Sequence, residues 1–181
     1  LSDKITYIKN KELILAESNS KAVYGDGITI DADNFNFNKL LNNLNANGNV
    51  FINDKIKDYK IFADDITYFK NEEKIITNGK SRSIIQSKYE IESDDIFINL
   101  NEEIISSNKK TLIKDDKSNV YNLDKFTYLV KKELLKGEDI VAISNFSLPK
   151  SDKLFFSDAI IDLKNQNFVA KDTKIQLHNE A

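Results

Sequence analysis

The sequence predicts an all-β protein made of one repeated unit, and three observations carry that prediction. Similar stretches recur about every 30 residues along the chain. Each copy opens with two apolar residues two places apart, and no helical pattern survives from one copy to the next.

The reference copy runs from Ala63 to Ser81, ADDITYFKNEEKIITNGKS. The residue ahead of its Asp has counterparts at Ser2, Ala32, Ser93, Leu123 and Ser157, small except for Leu123, and the steps between anchors are 30, 31, 30, 30 and 34 residues. Asp3, Asp33, Asp64, Asp94, Asp124 and Asp158 follow them. Three places after each anchor stands a large apolar residue (Ile5, Phe35, Ile66, Ile96, Phe126, Ile160), and five places after stand Tyr7, Phe37, Tyr68, Ile98 and Tyr128, with Asp162 departing. Twelve places after come Ile14, Leu44, Ile75, Ile105, Leu135 and Val169. Small residues follow two places later at Ala16, Ala46, Thr77, Ser107 and Gly137, where Lys171 departs.

Apolar residues two apart share one face of an extended strand, so each copy begins with a short strand. Polar runs such as 70–74 then suit a turn, and the aliphatic position begins a second strand, with Gly48 or Gly79 near a bend. A unit of this kind cannot bury its own apolar face and does so against its neighbours.

Taken in order, the first copy runs from Leu1 to Ser18, and Gly25 and Gly27 flank a turn before the alternating Ile28 and Ile30. Residues 35–44 match helical spacing through Phe37, Leu40, Leu41 and Leu44, but their counterparts in other copies do not, so a strand and turn are expected. The same argument makes 129–135 a turn. Asn47-Gly48-Asn49 leads into Val50 and Ile52, expected beside the first strand of that copy. The stretched final spacing contains the single proline, Pro149, and reads as a loop or bulge. Beyond it, Phe155, Phe156, Ile160, Ile161 and Leu163 make the densest apolar stretch of the chain.

The repeat covers all 181 residues, which argues for a single domain. Charged residues make up 30% at a net charge of −3, with lysine and acid interleaved, so no basic stripe for nucleic acid is present. The absence of cysteine excludes disulfides and thiolate metal sites. No apolar run reaches the roughly 18 residues of a membrane-spanning helix. The chain starts at the edge of a copy, and an earlier segment with a signal peptide is expected upstream.

Chemistry is sparse. Asp64-Asp65, Asp94-Asp95 and Asp115-Asp116 could suggest paired carboxylates, but sequence neighbours point to opposite faces of a strand, and an Asp after every anchor suits the capping of a bend. His178, the lone histidine, is expected in a solvated tail. No nucleophile, phosphate-loop or metal-protease motif occurs, so neither enzyme activity nor a metal or cofactor is expected. What remains is an apolar stripe: Ile5, Tyr7, Phe35, Phe37, Val50, Ile52, Ile66, Tyr68, Ile75, Ile96, Ile98, Ile105, Phe126, Tyr128 and Leu135. Spacing alone fits both a closed core filled by these side chains and a partly open groove walled by them.

The copies SDKITYIKNKELILAESNS, ADNFNFNKLLNNLNANGNVFIND and ADDITYFKNEEKIITNGKS resemble the repeats of the lipopolysaccharide-transport family, the OstA-like proteins. Ala32-Asp33, Ala63-Asp64, Tyr68, Gly48-Asn49-Val50 and Gly79 carry the match, which extends over essentially the whole chain. The closing stretch KSDKLFFSDAIIDLKNQNFVAKDTKIQLH is similar to the end of the family's outer-membrane-associated periplasmic domain, just ahead of its barrel. The resemblance implies an antiparallel β-jellyroll, or β-taco: a twisted, V-shaped, two-walled sheet with an apolar interior. It implies that lipopolysaccharide acyl chains occupy that interior, with the stripe as their lining, on the periplasmic side of the outer membrane.

The partners implied are a periplasmic bridge protein, added at the edge strand Ile5, Thr6, Tyr7 and Ile8, and the family's own C-terminal barrel with its lipoprotein plug. A soluble bridge protein of the same family is the nearest alternative; a closed-core structural or adhesive β-domain is the one from a different class. Fourteen to sixteen short strands split over two walls would give a groove of about 35 Å.

Overall fold

The computed structural model describes residues 1–25, 27–144, 146 and 151–178. The loop expected around Pro149 lies outside the described residues. Sixteen strands form one antiparallel sheet: β1 (Lys4–Ile8), β2 (Leu13–Tyr24), β3 (Ile28–Asn38), β4 (Asn43–Asp54), β5 (Tyr59–Phe69), β6 (Lys74–Ile85), β7 (Tyr89–Asp94), β8 (Phe97–Asn99), β9 (Ile104–Ser107), β10 (Thr111–Asp115), β11 (Val120–Leu123), β12 (Lys125–Leu129), β13 (Leu134–Ile143), β14 (Lys153–Asp162), β15 (Asn167–Lys171) and β16 (Lys174–Gln176). The all-β expectation holds. The two helix-like stretches are a hairpin turn at 39–42 and a single 3₁₀ turn, Val130–Lys132.

The sheet is a meander whose long strands bend in the middle. Register shifts fall between Glu17 and Ser20, Asp31 and Asn34, Asn47 and Val50, and Ala63 and Asp65. In later copies β13 and β14 still cross the bend unbroken, but elsewhere it interrupts the strand altogether, so β7–β8, β9–β10, β11–β12 and β15–β16 are each two halves of one bent strand. This divides the sheet into two halves. β6 pairs with β7 through residues 80–85 and with β8 through residues 74–76, while β13 pairs with β12 and β11 in the same divided way. The pairings therefore close an eight-stranded ring, β6-β7-β10-β11-β13-β12-β9-β8, with further strands outside it.

Val50 and Ile52 correct one expectation. They do not lie beside Phe35 and Phe37 but continue β4 past its bulge, where Ile52 pairs with Ile30 and Ile61. Gly48 and Asn49 are thus a bulge rather than a turn, and both hold positive φ, 75° and 50°.

The period has a backbone cause. Ten places after each of five anchors, Glu12, Asn42, Glu73, Glu103 and Glu133 adopt the left-handed conformation, with φ of 48°, 50°, 49°, 54° and 49°. Each of their carbonyls accepts a hydrogen bond from the corresponding turn of the next copy: Lys39 at 2.9 Å, Lys70 at 3.1 Å, Leu100 at 2.9 Å, Val130 at 3.0 Å and Leu163 at 3.0 Å. One turn therefore templates the next. At the bend, where the inner faces converge, the sequence supplies small side chains. Ala16, Ala32, Ala46 and Ala63 are buried there, and Ser93 bridges Ser107 at 3.0 Å and Thr111 at 2.8 Å.

The Asp after the anchor serves the bend in the first two copies. Asp3 accepts from Asn19 at 2.9 Å and Asp33 from Asn49 at 3.0 Å, while in later copies the following residue takes over, Asp95 accepting the Gly79 N–H at 2.8 Å. Asp162, which breaks the apolar series, caps its own turn by accepting the Asn165 N–H at 2.8 Å. Those hydrogen bonds hold its carboxyl below the usual range.

Candidate functional site

One of the inward register rows of one sheet half crosses every copy. Tyr7 pairs with Ile14, Ile14 with Phe37, Phe37 with Leu44, Leu44 with Tyr68 and Tyr68 with Ile75. The row continues through Ile98, Ile105, Tyr128, Leu135, Ile161 and Phe168. Twelve strands at about 4.8 Å make it about 50 Å long. The 35 Å expectation was short because most strands cross both halves, so each half holds more strands than an even split allows.

A second row faces it from the other half: Ala22, Ile30, Ile52, Ile61, Ser83, Ile91, Ile113, Tyr121, Ala142, Leu154 and Ile175, each paired with the next. Edge-to-face ring contacts join the halves, Tyr24 with Tyr68 at 5.5 Å and Tyr89 with Tyr128 at 5.3 Å, and Phe156 meets Phe168 at 4.7 Å.

Of the stripe expected from sequence, Phe35, Val50, Ile52, Ile66, Tyr68, Ile75, Ile96, Ile98, Ile105, Phe126, Tyr128 and Leu135 join one buried cluster, with half-buried Phe37 packed against it. Ile5 and Tyr7 do not. They are 62% and 47% exposed, because β1 is the last strand of its half and nothing covers its inner side. The middle of the interior is filled by its own side chains: Ile91, Ile98, Ile105 and Leu135 are 0% exposed.

The interior opens at both ends. A cavity of about 260 Å³ lies at the amino-terminal end between Ile14, Phe35 and Phe37 on one side and Ala22, Tyr24 and Ile30 on the other. One of about 460 Å³ lies at the carboxyl-terminal end among Tyr121, Ala142, Leu154, Phe156, Ile161 and Phe168. The largest concavity, about 960 Å³, sits elsewhere, over an outward row that includes Phe62, Arg82, Leu112 and Val141; exposed charges of both signs line it.

Opposite the line of bends, the turns of the two halves meet and polar side chains cross between them. Lys57, from the turn after β4, reaches Glu103 at 3.4 Å and also donates to the Leu100 carbonyl. Lys88 reaches Glu133 at 3.6 Å, and the Tyr89 hydroxyl donates to the same carboxylate at 3.0 Å. Lys70 lies 4.8 Å from the centre of the Tyr24 ring. These contacts form a latched rim.

Just beneath the rim, Tyr24, Ile28, Asp54, Tyr59, Ile85, Tyr89 and Asp115 form a further register row. Asp54 is occupied by its own turn, accepting the Ile56 and Lys57 N–H groups at 3.0 Å each. Burial pushes the Tyr59, Tyr68, Tyr89, Tyr121 and Tyr128 phenols well above the ordinary tyrosine value, and nearby carboxylates such as Glu103, Glu133 and Asp115 add to the shift.

Of the facing row, sequence reasoning placed Ile52 alone in the stripe, and it missed the Tyr59–Tyr89 row. The signal was present as alternation ahead of the anchor, in Tyr59-Ile61-Ala63 and Tyr89-Ile91-Ser93. Among the described residues no His, Asp and Glu cluster is arranged to hold a metal ion. Among the described residues the strand Lys4–Ile8 is an edge, paired only with β2. Neither known family models nor characterised proteins give a match to this chain.

Proposed function

We propose that this domain conducts lipopolysaccharide, lodging its acyl chains between the two sheet halves while the sugars stay outside. On this reading the fold is a β-jellyroll of the β-taco type, its halves the two walls of a V and the latched rim the mouth of that V. The observation that carries the reading is the unbroken apolar row across twelve strands, faced by a second row and opening into cavities at both ends.

Burying one twelve-carbon acyl chain contributes on the order of 9 kcal/mol, at about 0.8 kcal/mol per CH₂. A ligand with several such chains leaves too slowly for a free shuttle, and handing it along a continuous groove avoids that step. The domain acts without catalysis on the periplasmic side of the outer membrane. It accepts lipid from a periplasmic bridge protein that adds to β1 and passes it toward a membrane barrel with its lipoprotein plug.

A second reading, a closed-core structural or adhesive β-domain, is favoured by the fully buried middle of the interior. Photocrosslinking separates the two. A photoreactive residue in place of Tyr68, with purified lipopolysaccharide, is expected to crosslink. One in place of Thr67, whose hydroxyl faces outward to Asn45 at 2.8 Å, is not. Absence of crosslinks at both positions in a folded sample overturns the conduit and leaves the closed domain.

A further inference from the structure

Three phenol groups in the interior are in an expensive state. Tyr59, Tyr68 and Tyr128 are 1%, 1% and 2% exposed, and none of their hydroxyls has a hydrogen-bond partner. Tyr24 and Tyr89 come close to Tyr68 and Tyr128, but short of hydrogen-bond geometry. An unsatisfied buried hydroxyl costs about 1–3 kcal/mol. A core chosen only for packing would use phenylalanine, which this sequence places at Phe37, the counterpart of Tyr68 in the preceding copy.

The three groups also share a depth. Tyr59 opens β5, while Tyr68 and Tyr128 are the penultimate residues of β5 and β12, so all three sit directly under the rim. Tyr68 and Tyr128 occupy one register row with Ile75, Ile98 and Ile105 between them, four strand spacings or about 19 Å. Below them lie Ile66, Ile96 and Phe126 and then the small side chains of the bend; above them are Lys57, Lys88, Glu103 and Glu133. A phenol at this level meets the part of an amphiphile where its chains join its head.

We propose that Tyr59, Tyr68 and Tyr128 form a donor belt that recognises carbonyl oxygens at the chain–head junction of an acylated amphiphile, so that ester- or amide-linked chains are preferred over plain alkyl chains. This rests on the conduit reading and narrows its ligand class. Each O–H donates to a carbonyl that enters with the ligand, and the desolvation already present in the free protein is relieved on binding. Because the donors recur along the row, a molecule moving through the interior leaves one and meets the next.

The test compares two probes of equal chain length, phosphatidic acid with two ester-linked twelve-carbon chains and its ether-linked counterpart, which lacks the carbonyls. Binding is measured on the wild-type protein and on the triple variant Tyr59→Phe, Tyr68→Phe, Tyr128→Phe. The wild type is expected to bind the ester about tenfold or more tightly than the ether. The variant should bring that ratio to within about twofold. Its unliganded form should melt higher than the wild type, which also shows that it folds.

An ester-to-ether ratio near one in the wild type, or one that persists in the variant, overturns the donor belt while leaving the conduit intact. Failure of the wild type to bind either probe overturns the conduit and the belt with it.

Discussion

Gly48 and Gly79 occupy matching places, sixteen residues after their anchors, and both hold positive φ, 75° and 77°. They differ in their surroundings. A Cβ on Gly48 would run into the Asp33 carboxylate that secures the bulge, whereas one on Gly79 would meet nothing within 4 Å. Gly79→Ala should therefore cost only the backbone term, about 1 kcal/mol, and Gly48→Ala about 2 kcal/mol or more. Urea denaturation of the two variants checks the order, and equal losses would mean that Asp33 yields freely.

The buried phenols make a second prediction at this scale. Their folded-state pKa values are raised by burial, so the stability tied to the neutral phenols is complete below tyrosine's ordinary value near 10 and is lost as pH climbs toward the folded values. The domain should unfold in alkali, and Tyr128→Phe should move the midpoint upward. An unmoved midpoint would place the alkaline transition at the lysines instead.

Among the elements, β1 is the edge that the proposed bridge protein would extend. The Asp3 N–H donates to the Ser18 carbonyl at 3.1 Å, and residues alternate between bonded and unbonded positions along an antiparallel pair. Thr6 therefore directs its N–H to the open edge, as does Ile8, whereas the Lys4 N–H donates to the Ser2 hydroxyl at 3.4 Å. Thr6→Pro removes an outward donor and no bond to β2, so thermal stability should fall by no more than about 1 kcal/mol. Strand addition by a bridge protein should be lost. A complex that survives this substitution in a pull-down would move the partner to the other end of the sheet, where Val169, Ile175 and Leu177 are exposed.

The elements also show what a sequence reading can reach. The strands at +3, +5 and +12 were legible because inward positions recur through the first five copies and nothing but burial against a neighbour explains them; in the sixth the register slips by one, so Ile160 and Val169 face out and Ile161 and Phe168 continue the row. The bend was not, since Asn47-Gly48-Asn49 has the composition of a hairpin turn and becomes a bulge only because β4 pairs on both sides of it. The facing row lay in plain alternation before each anchor, but its partners are set by which half of each bent strand continues, and that is decided by register across the whole sheet.

At the scale of the whole molecule, the interior in this state is closed along its middle and latched along its rim, so the proposed conduit requires acyl chains to enter either by parting the rim or through an open end. The charged latches are few. The Lys57 and Glu103 side chains are 27% and 19% exposed, and those of Lys88 and Glu133 are 46% and 21% exposed, which puts each pair near the surface, where an ion pair contributes about 1 kcal/mol or less. Separating the rim is thus cheap in polar contacts, and the larger cost is exposure of the apolar rows, which an entering acyl chain covers as they part.

That balance predicts lateral entry. Because the chain has no cysteine, Lys57→Cys with Glu103→Cys gives a clean pair that a short, reducible thiol-to-thiol crosslinker can join across the rim. Loading of the ester-linked probe should stop when the linker is in place and return when it is reduced, with the melting temperature raised in the linked form. Loading at an unchanged rate in the linked protein would show that the chains thread in through the ends, and the rim would then be a permanent wall of the conduit.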